Sequence, residues 1–493
     1  MPPAPSDHYT LLGVTRDASQ EEIKRAYYEA AQRLHPDKNI AAGETELFLG
    51  VQQAYETLSN PKRRAQYDAT LPPEQKQPVP FLYKILSSRP NLIHLDEPQI
   101  LYILLEVETP PAERQAPAPP LNVCLLLDRS TSMQGEKMDV LKAVAIQVLR
   151  NLRAQDILSI VSFSDRAEVV IPAGYHTDRS RLESHIQMIQ PSGATEIFQG
   201  LELGVNEVRR SLDPRRVNHI VLLTDGHTYG DEQACLELAN SVALQGIGIS
   251  AFGVGDEWND IFLDAISSRT GGSSAYISHP QDIKRLLLEK FNALARIFAE
   301  EVMLEYKIAP AAELAYAFRL QPEPTAIPVE SPLRMGPLLQ DTATQILFEY
   351  IIHPEAVKAD SLNLFDGILK VSIPSRPTPV PPLQMRFQRV VSNSPETDPP
   401  PPQIVYALSR LMLYRMQERA RKEAESGNID NAARHLKAMA SKLLGQGERS
   451  LARTILLEVD NLEAQKSLSQ EGSKKIKYGT RALFSVPRKE YVP

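Results

Sequence analysis

The chain has 493 residues, with 54 Lys+Arg against 61 Asp+Glu and a formal charge of −7. It therefore lacks the global basic footprint of a nucleic-acid binder, and no nucleic-acid partner is expected. Hydrophobic residues make up 42%, enough for packed cores and incompatible with wholesale disorder.

The length suggests about three domains. Two cysteines, Cys124 and Cys235, exclude a disulfide framework and a cysteine-based zinc module. No apolar run approaches the ~18 residues of a membrane span. Met1 to Pro5 carries neither the basic nor the apolar region of a signal peptide. The expectation is a soluble protein of the cytoplasm. Prolines, 39 against 23 glycines, cluster at 71–80, 110–120, 374–382 and 399–402 as stiff, extended connectors.

In chain order, 6–70 predicts small antiparallel helices. Ser19 and Glu22 form a capping box, followed by Ile23, Tyr27, Ala30 and Leu34 at helical spacing. Leu47, Val51, Ala54 and Leu58 repeat that spacing, and Asn60-Pro61 opens a further short helix. Residues 71–80 form a proline-rich linker. Segments 81–119 and 300–392 read as β, with Leu101, Ile103, Leu105 and Val107 alternating along one strand. Residues 120–292 alternate continuous apolar strands with helices, which predicts a doubly wound parallel sheet. Strands on both sides of that unit predict a β-sandwich into which it is inserted. Residues 403–484 return to helix. The fold class is thus multi-domain: an all-α module, an α/β domain inserted in a sandwich, and a C-terminal α-helical region.

Two constellations carry chemistry. Pro36 ends the first helix and sets His35 extended, so His35, Pro36 and Asp37 form an exposed interhelical loop. An imidazole and a carboxylate alone make neither a triad nor a metal site. Further on, Asp128 ends one apolar strand and Asp225 ends another. In a parallel sheet those ends share the edge where ligands bind, and two converging carboxylates repel unless a cation lies between them. Ser130, Ser132 and Thr195 complete a set of hard oxygen donors suited to Mg²⁺, then Mn²⁺. The same residue types also serve as ordinary helix caps and turns.

Residues 7–68 resemble the J-domain of DnaJ-type co-chaperones, on Tyr9 to Val14, His35-Pro36-Asp37, Ala54-Tyr55 with Leu58-Ser59, and Tyr67-Asp68. That resemblance implies docking on a DnaK-type chaperone, with His35, Pro36 and Asp37 stimulating ATP hydrolysis. Lys24 and Arg25, with Arg33 and Lys38, would supply the steering charge. Tyr28 and Glu29 stand where the family often carries two cations, which weakens electrostatic steering. Residues 120–292 resemble the von Willebrand factor A domain, bacterial type, with its metal-ion-dependent adhesion site. All five positions are present: Asp128, Ser130, Ser132, Thr195 and Asp225. The resemblance implies one open metal position for an acidic side chain of a protein partner. Glu196 departs from the family's usual asparagine and adds a carboxylate beside the site.

Among lesser features, Asp256 to Asp260 reads as a capped helix start, and the two cysteines as inert buried thiols. Lys474, Lys475, Lys477, Arg481, Arg488 and Lys489 make a basic tail, expected to be solvated, with contact to an anionic surface as the alternative. The functional expectation is a non-enzymatic adaptor that recruits a DnaK-type chaperone and holds a protein partner through the metal. One alternative keeps the metal scaffold but weakens the J-domain, with Tyr28 and Glu29 in its support. A metal-dependent hydrolase would need Glu196 as its base.

Overall fold

The computed structural model describes residues 8, 12, 20–34, 44–60, 62–64, 67, 81–176, 178–228, 230–376, 380–393 and 399–485. The chain divides into two compact units, Met1–Pro78 and Val79–Pro493. Among the described residues no helix is long and apolar enough to cross a membrane.

In the first unit, α1 (Gln20–Leu34) and α2 (Glu44–Leu58) pack face to face. Ile23 and Ala30 of α1 meet Val51, Ala54 and Leu58 of α2, the faces set by their helical spacing. Tyr27 stacks on Tyr55 with ring centroids 4.1 Å apart. The Asn60 side chain accepts from the Lys62 backbone N–H at 3.0 Å, capping the next turn.

The second unit begins with β1 (Leu82–Ser87), β2 (Leu92–Ile93) and β3 (Gln99–Glu108). Then comes the α/β part: β4 (Leu121–Asp128), α3 (Glu136–Asn151), β5 (Ile157–Phe163), β6 (Ala167–Gly174), α4 (Arg179–Gln187), α5 (Ile197–Arg210) and β7 (Val217–Thr224). It continues with α6 (Glu232–Ala243), β8 (Gly248–Val254), α7 (Asp260–Arg269), β9 (Ser274–Ile277) and α8 (Pro280–Ala295). The sheet order is β6-β5-β4-β7-β8-β9, parallel except for β6.

Every residue of β4, β5 and β7 is buried, as continuous apolar strands covered on both faces must be. Val123, Leu125 and Leu127 pack with Leu141 of α3 and Leu287 of α8. On the opposite face Cys124 and Leu126 pack with Leu201 of α5 and Val242 of α6. The chain leaves β4 for β5 on one side and returns to β7 on the other, so the crevice beyond these two strands is the topological switch point.

β10 (Ile297–Ile308), β11 (Ala312–Gln321), β12 (Thr325–Ile327), β13 (Leu333–Leu339), β14 (Thr344–Ile352), β15 (Ser361–Ser372) and β16 (Leu383–Ser392) follow. Two five-stranded sheets result, β1-β3-β14-β11-β12 and β13-β10-β15-β16-β2, around one shared core. β3, before the α/β part, pairs along its length with β14, after it. The α/β part is therefore inserted into a sandwich closed by strands from both sides.

Four C-terminal helices complete the unit: α9 (Pro402–Glu425), α10 (Ile429–Gly445), α11 (Arg449–Gln465) and α12 (Gln470–Ser485). Ile404, Ala407 and Leu411 of α9 cover Leu104, Phe318 and Leu347 on the outer sheet face. This explains Leu104, an apolar residue at an outward position of β3.

The expectation of a solvated basic tail is overturned. Lys474, Lys477 and Arg481 are buried on α12, because the helix lies against acids of α7. Lys477 pairs with Asp260 at 2.5 Å and Asp264 at 2.7 Å, and Arg481 with Asp264 at 2.6 Å. Arg421 of α9 adds a second partner to Asp260 at 2.8 Å. Lys475 stays partly exposed beside Glu471, while Arg488 and Lys489 lie outside the described residues.

Candidate functional site

His35, Pro36 and Asp37 lie outside the described residues, as does the side chain of Arg25. Lys24 is exposed on α1, and Tyr28 is 57% exposed. The position where a second cation is often found thus presents a phenol to solvent.

The second constellation is described in full. The register sets Leu127 beside Leu223, so Asp128 and Thr224 end neighbouring strands side by side. Asp128 Oδ1 accepts from the Ser130 backbone N–H at 2.7 Å, and Oδ2 from the Thr224 hydroxyl at 2.6 Å. Burial pushes the Asp128 carboxyl up to about 6 even against these donors. The Ser130 and Ser132 hydroxyl oxygens are 3.0 Å apart, and Ser132 donates to Asp225 Oδ1 at 2.6 Å. The other oxygen of Asp225, a fully buried side chain, takes the Lys137 ammonium at 2.5 Å.

Thr195 arrives on a third loop, tied to the first by backbone bonds. Ser192 N–H donates to Arg129 O at 2.7 Å and Thr131 N–H to Gly193 O at 3.1 Å. The Thr131 hydroxyl donates to the same Gly193 carbonyl at 2.8 Å. Thr195 is buried, and its hydroxyl lies over Gly226, so close that a Cβ there would stand 2.8 Å away. Gly193 takes a left-handed φ of 78°, and a Cβ on it would run into Asp165. The structure therefore brings all five expected residues together at the switch-point edge.

The donors are hydroxyl and carboxylate oxygens, and among the described residues no three His, Cys, Asp or Glu side chains converge. Such a set fits a hard divalent cation and not zinc or copper. Glu196 does not add to it: its carboxylate accepts from Gln199 at 2.6 Å along α5. Asn259 caps α7 by accepting from Phe262 N–H at 3.1 Å, the helix start read from the sequence. Cys124 and Cys235 are buried and free, and burial pushes the Cys124 thiol up to about 12.

Sequence reasoning did not single out two residues that act here. Thr224 fastens Asp128, and its signal was its place at a strand end directly before Asp225. Lys137 grips Asp225, and its signal was a cation in the first turn of a helix, where the helix dipole disfavours one.

Family models match in three places: a DnaJ domain over 7–68, a von Willebrand factor type A domain over 122–291, and an Sll0103-like C-terminal alpha-helical domain over 402–486. The chain joins a J-domain to a von Willebrand factor A domain protein. An uncharacterized protein, sll0103, from Synechocystis is 26% identical over 392 residues, covering 75% of this chain and 89% of that one. DnaJ homolog subfamily B member 12 of Mus musculus is 53% identical over 62 residues, which is 16% of its length. The J-domain likeness therefore concerns the module alone. A von Willebrand factor type A protein from Catenulispora acidiphila superposes with a TM-score of 0.65 at 14% identity, over 81% of this chain and 96% of that one. The ArnB paralog VWA2 from Sulfolobus acidocaldarius gives 0.51 at 14% identity, over 83% and 99%. Both share the fold of the A domain with its sandwich.

Proposed function

We propose that the chain is a cytoplasmic, non-enzymatic adaptor. Its J-domain recruits a DnaK-type chaperone through His35, Pro36 and Asp37, steered by Lys24 and Arg25. Its A domain holds a protein partner through Mg²⁺ or Mn²⁺ bound by Asp128, Ser130, Ser132, Thr195 and Asp225. When bound, the ion supplies a Lewis-acidic position for a partner's carboxylate. The chain's own residues orient it: Thr224 and the Ser130 N–H aim Asp128, and Ser132 aims Asp225. The observation that carries this reading is the convergence of two buried acids and three hydroxyl residues from three loops at one strand edge.

The test has two arms on the full-length chain. Calorimetric titration with magnesium should show uptake that Asp128→Ala abolishes; no uptake of magnesium or manganese by the wild type ends the metal reading. Single-turnover hydrolysis by a purified DnaK-type chaperone should accelerate with the wild type and not with His35→Gln. Equal rates for the two would leave a metal-dependent scaffold whose J-domain is weak, the reading that exposed Tyr28 favours.

A further inference from the structure

The two acids of the site are balanced differently. Asp128 is met by neutral donors, the Ser130 N–H and the Thr224 hydroxyl. Asp225 is met by a full positive charge, since Lys137 Nζ contacts its Oδ2 at 2.5 Å and the Ser132 carbonyl at 3.3 Å. Lys137 is the second residue of α3, where the helix dipole opposes a cation, so the pairing with Asp225 accounts for its position. The Asp225 side chain is wholly buried, whereas that of Lys137 is 31% exposed. The ammonium can therefore withdraw toward solvent while the carboxylate stays.

We infer that Lys137 is a tethered counter-cation which occupies Asp225 in the metal-free protein and competes with the divalent ion for it. This rests on the metal reading above and adds a residue that sets its affinity. A dipositive ion entering beside the ammonium meets like-charge repulsion at short range in a buried site, where screening by water is weak. Metal uptake then releases Lys137 from Asp225 Oδ2. In the metal-free state the same pairing removes one of two buried negative charges and lets the edge fold without its ion. Lys137 is thus a positioning and affinity-setting residue, with no direct part in holding the metal.

A purely structural role predicts the opposite sign. Were Lys137 simply an anchor that aims Asp225, its loss would loosen the site and weaken metal binding. The experiment is calorimetric titration of full-length wild type, Lys137→Met and Lys137→Gln with magnesium alone, alongside thermal melting in EDTA. Gln keeps a donor for Asp225 without the charge, so it reports on charge even if Met impairs folding. The expected result is magnesium affinity raised about tenfold or more in both variants, from relief of like-charge repulsion, with melting in EDTA below the wild type. Unchanged or weaker affinity in Lys137→Gln overturns the inference while leaving the metal site intact. Absence of uptake of magnesium, and of manganese titrated in its place, by the wild type and both variants overturns the metal reading itself and this inference with it.

Discussion

Thr224 donates its hydroxyl to Asp128 Oδ2 at 2.6 Å, joining through side chains the carboxyl ends of the two central parallel strands. Asp128 is fully buried, so this bond is shielded from competing water. Thr224→Val keeps the shape and removes the donor. Loss of a hydrogen bond to a buried charged group costs about 1.5–3 kcal/mol. Urea unfolding in EDTA at pH 7.5 should show that deficit, and a variant as stable as the wild type would mean that Thr224 contributes nothing here.

Gly226 is the only residue type that leaves room for the Thr195 hydroxyl above it. Gly226→Ala should displace that hydroxyl by a few tenths of an ångström while leaving the strands intact. The expected outcome is weaker magnesium uptake with a far-ultraviolet spectrum like that of the wild type. Undiminished uptake would remove Thr195 from the donor set.

Two buried groups of the second unit lose their contribution to stability in acid, one after the other. His219 is buried against Ser250, and burial, aided by the Lys290 ammonium, lowers its pKa from 6.5 to about 3. Between those values the unfolded chain binds a proton that the folded chain refuses. The contribution of His219 to stability therefore falls as pH drops through this window, by about 1.4 kcal/mol per pH unit. Burial would raise Glu323, but Lys290 and Arg319 outweigh it and hold the carboxyl near 2. Its contribution is present above the ordinary value of 4.5 and is lost as pH falls from there toward 2. Protonation of buried Asp128, raised to about 6, opposes this slope between 6 and 3.8, so the contrast lies between variants: urea midpoints at pH 7, 5.5 and 4.5 should fall more for the wild type than for His219→Gln. A His219→Gln profile parallel to that of the wild type between 7 and 5 would contradict a neutral buried His219.

Arg481 ties α12 to Asp264 of α7 and donates to the Tyr414 hydroxyl at 3.2 Å. Leaving a buried charge wholly uncompensated costs about 3–5 kcal/mol; without Arg481 the Asp264 carboxylate still meets Lys477 at 2.7 Å, so part of that loss is expected. Arg481→Met should show that partial loss in chemical unfolding. Lys475→Ala, which breaks an exposed pair on the same helix, should stay within about 0.5 kcal/mol. Comparable effects from the two substitutions would refute the clamp.

The sequence by itself determined the element types and their faces. Continuous apolar runs could only be doubly covered strands, and Leu101, Ile103, Leu105 and Val107 could only line one core. Asp128, Ser130 and Ser132 were legible as a donor group because they are close along the chain and end a strand. What tertiary structure alone decided was the pairing of charges. Lys477 and Arg481 look like solvated lysine and arginine in the sequence, and they meet their acids across more than 200 residues. Lys137 meets Asp225 across 88, and Glu196 turned to its own helix although its position beside Thr195 suggested the metal edge. A periodic pattern records how one segment buries its own surface, a local property. An ion pair depends on which distant charge the packing of several elements brings within reach, and no local pattern records that.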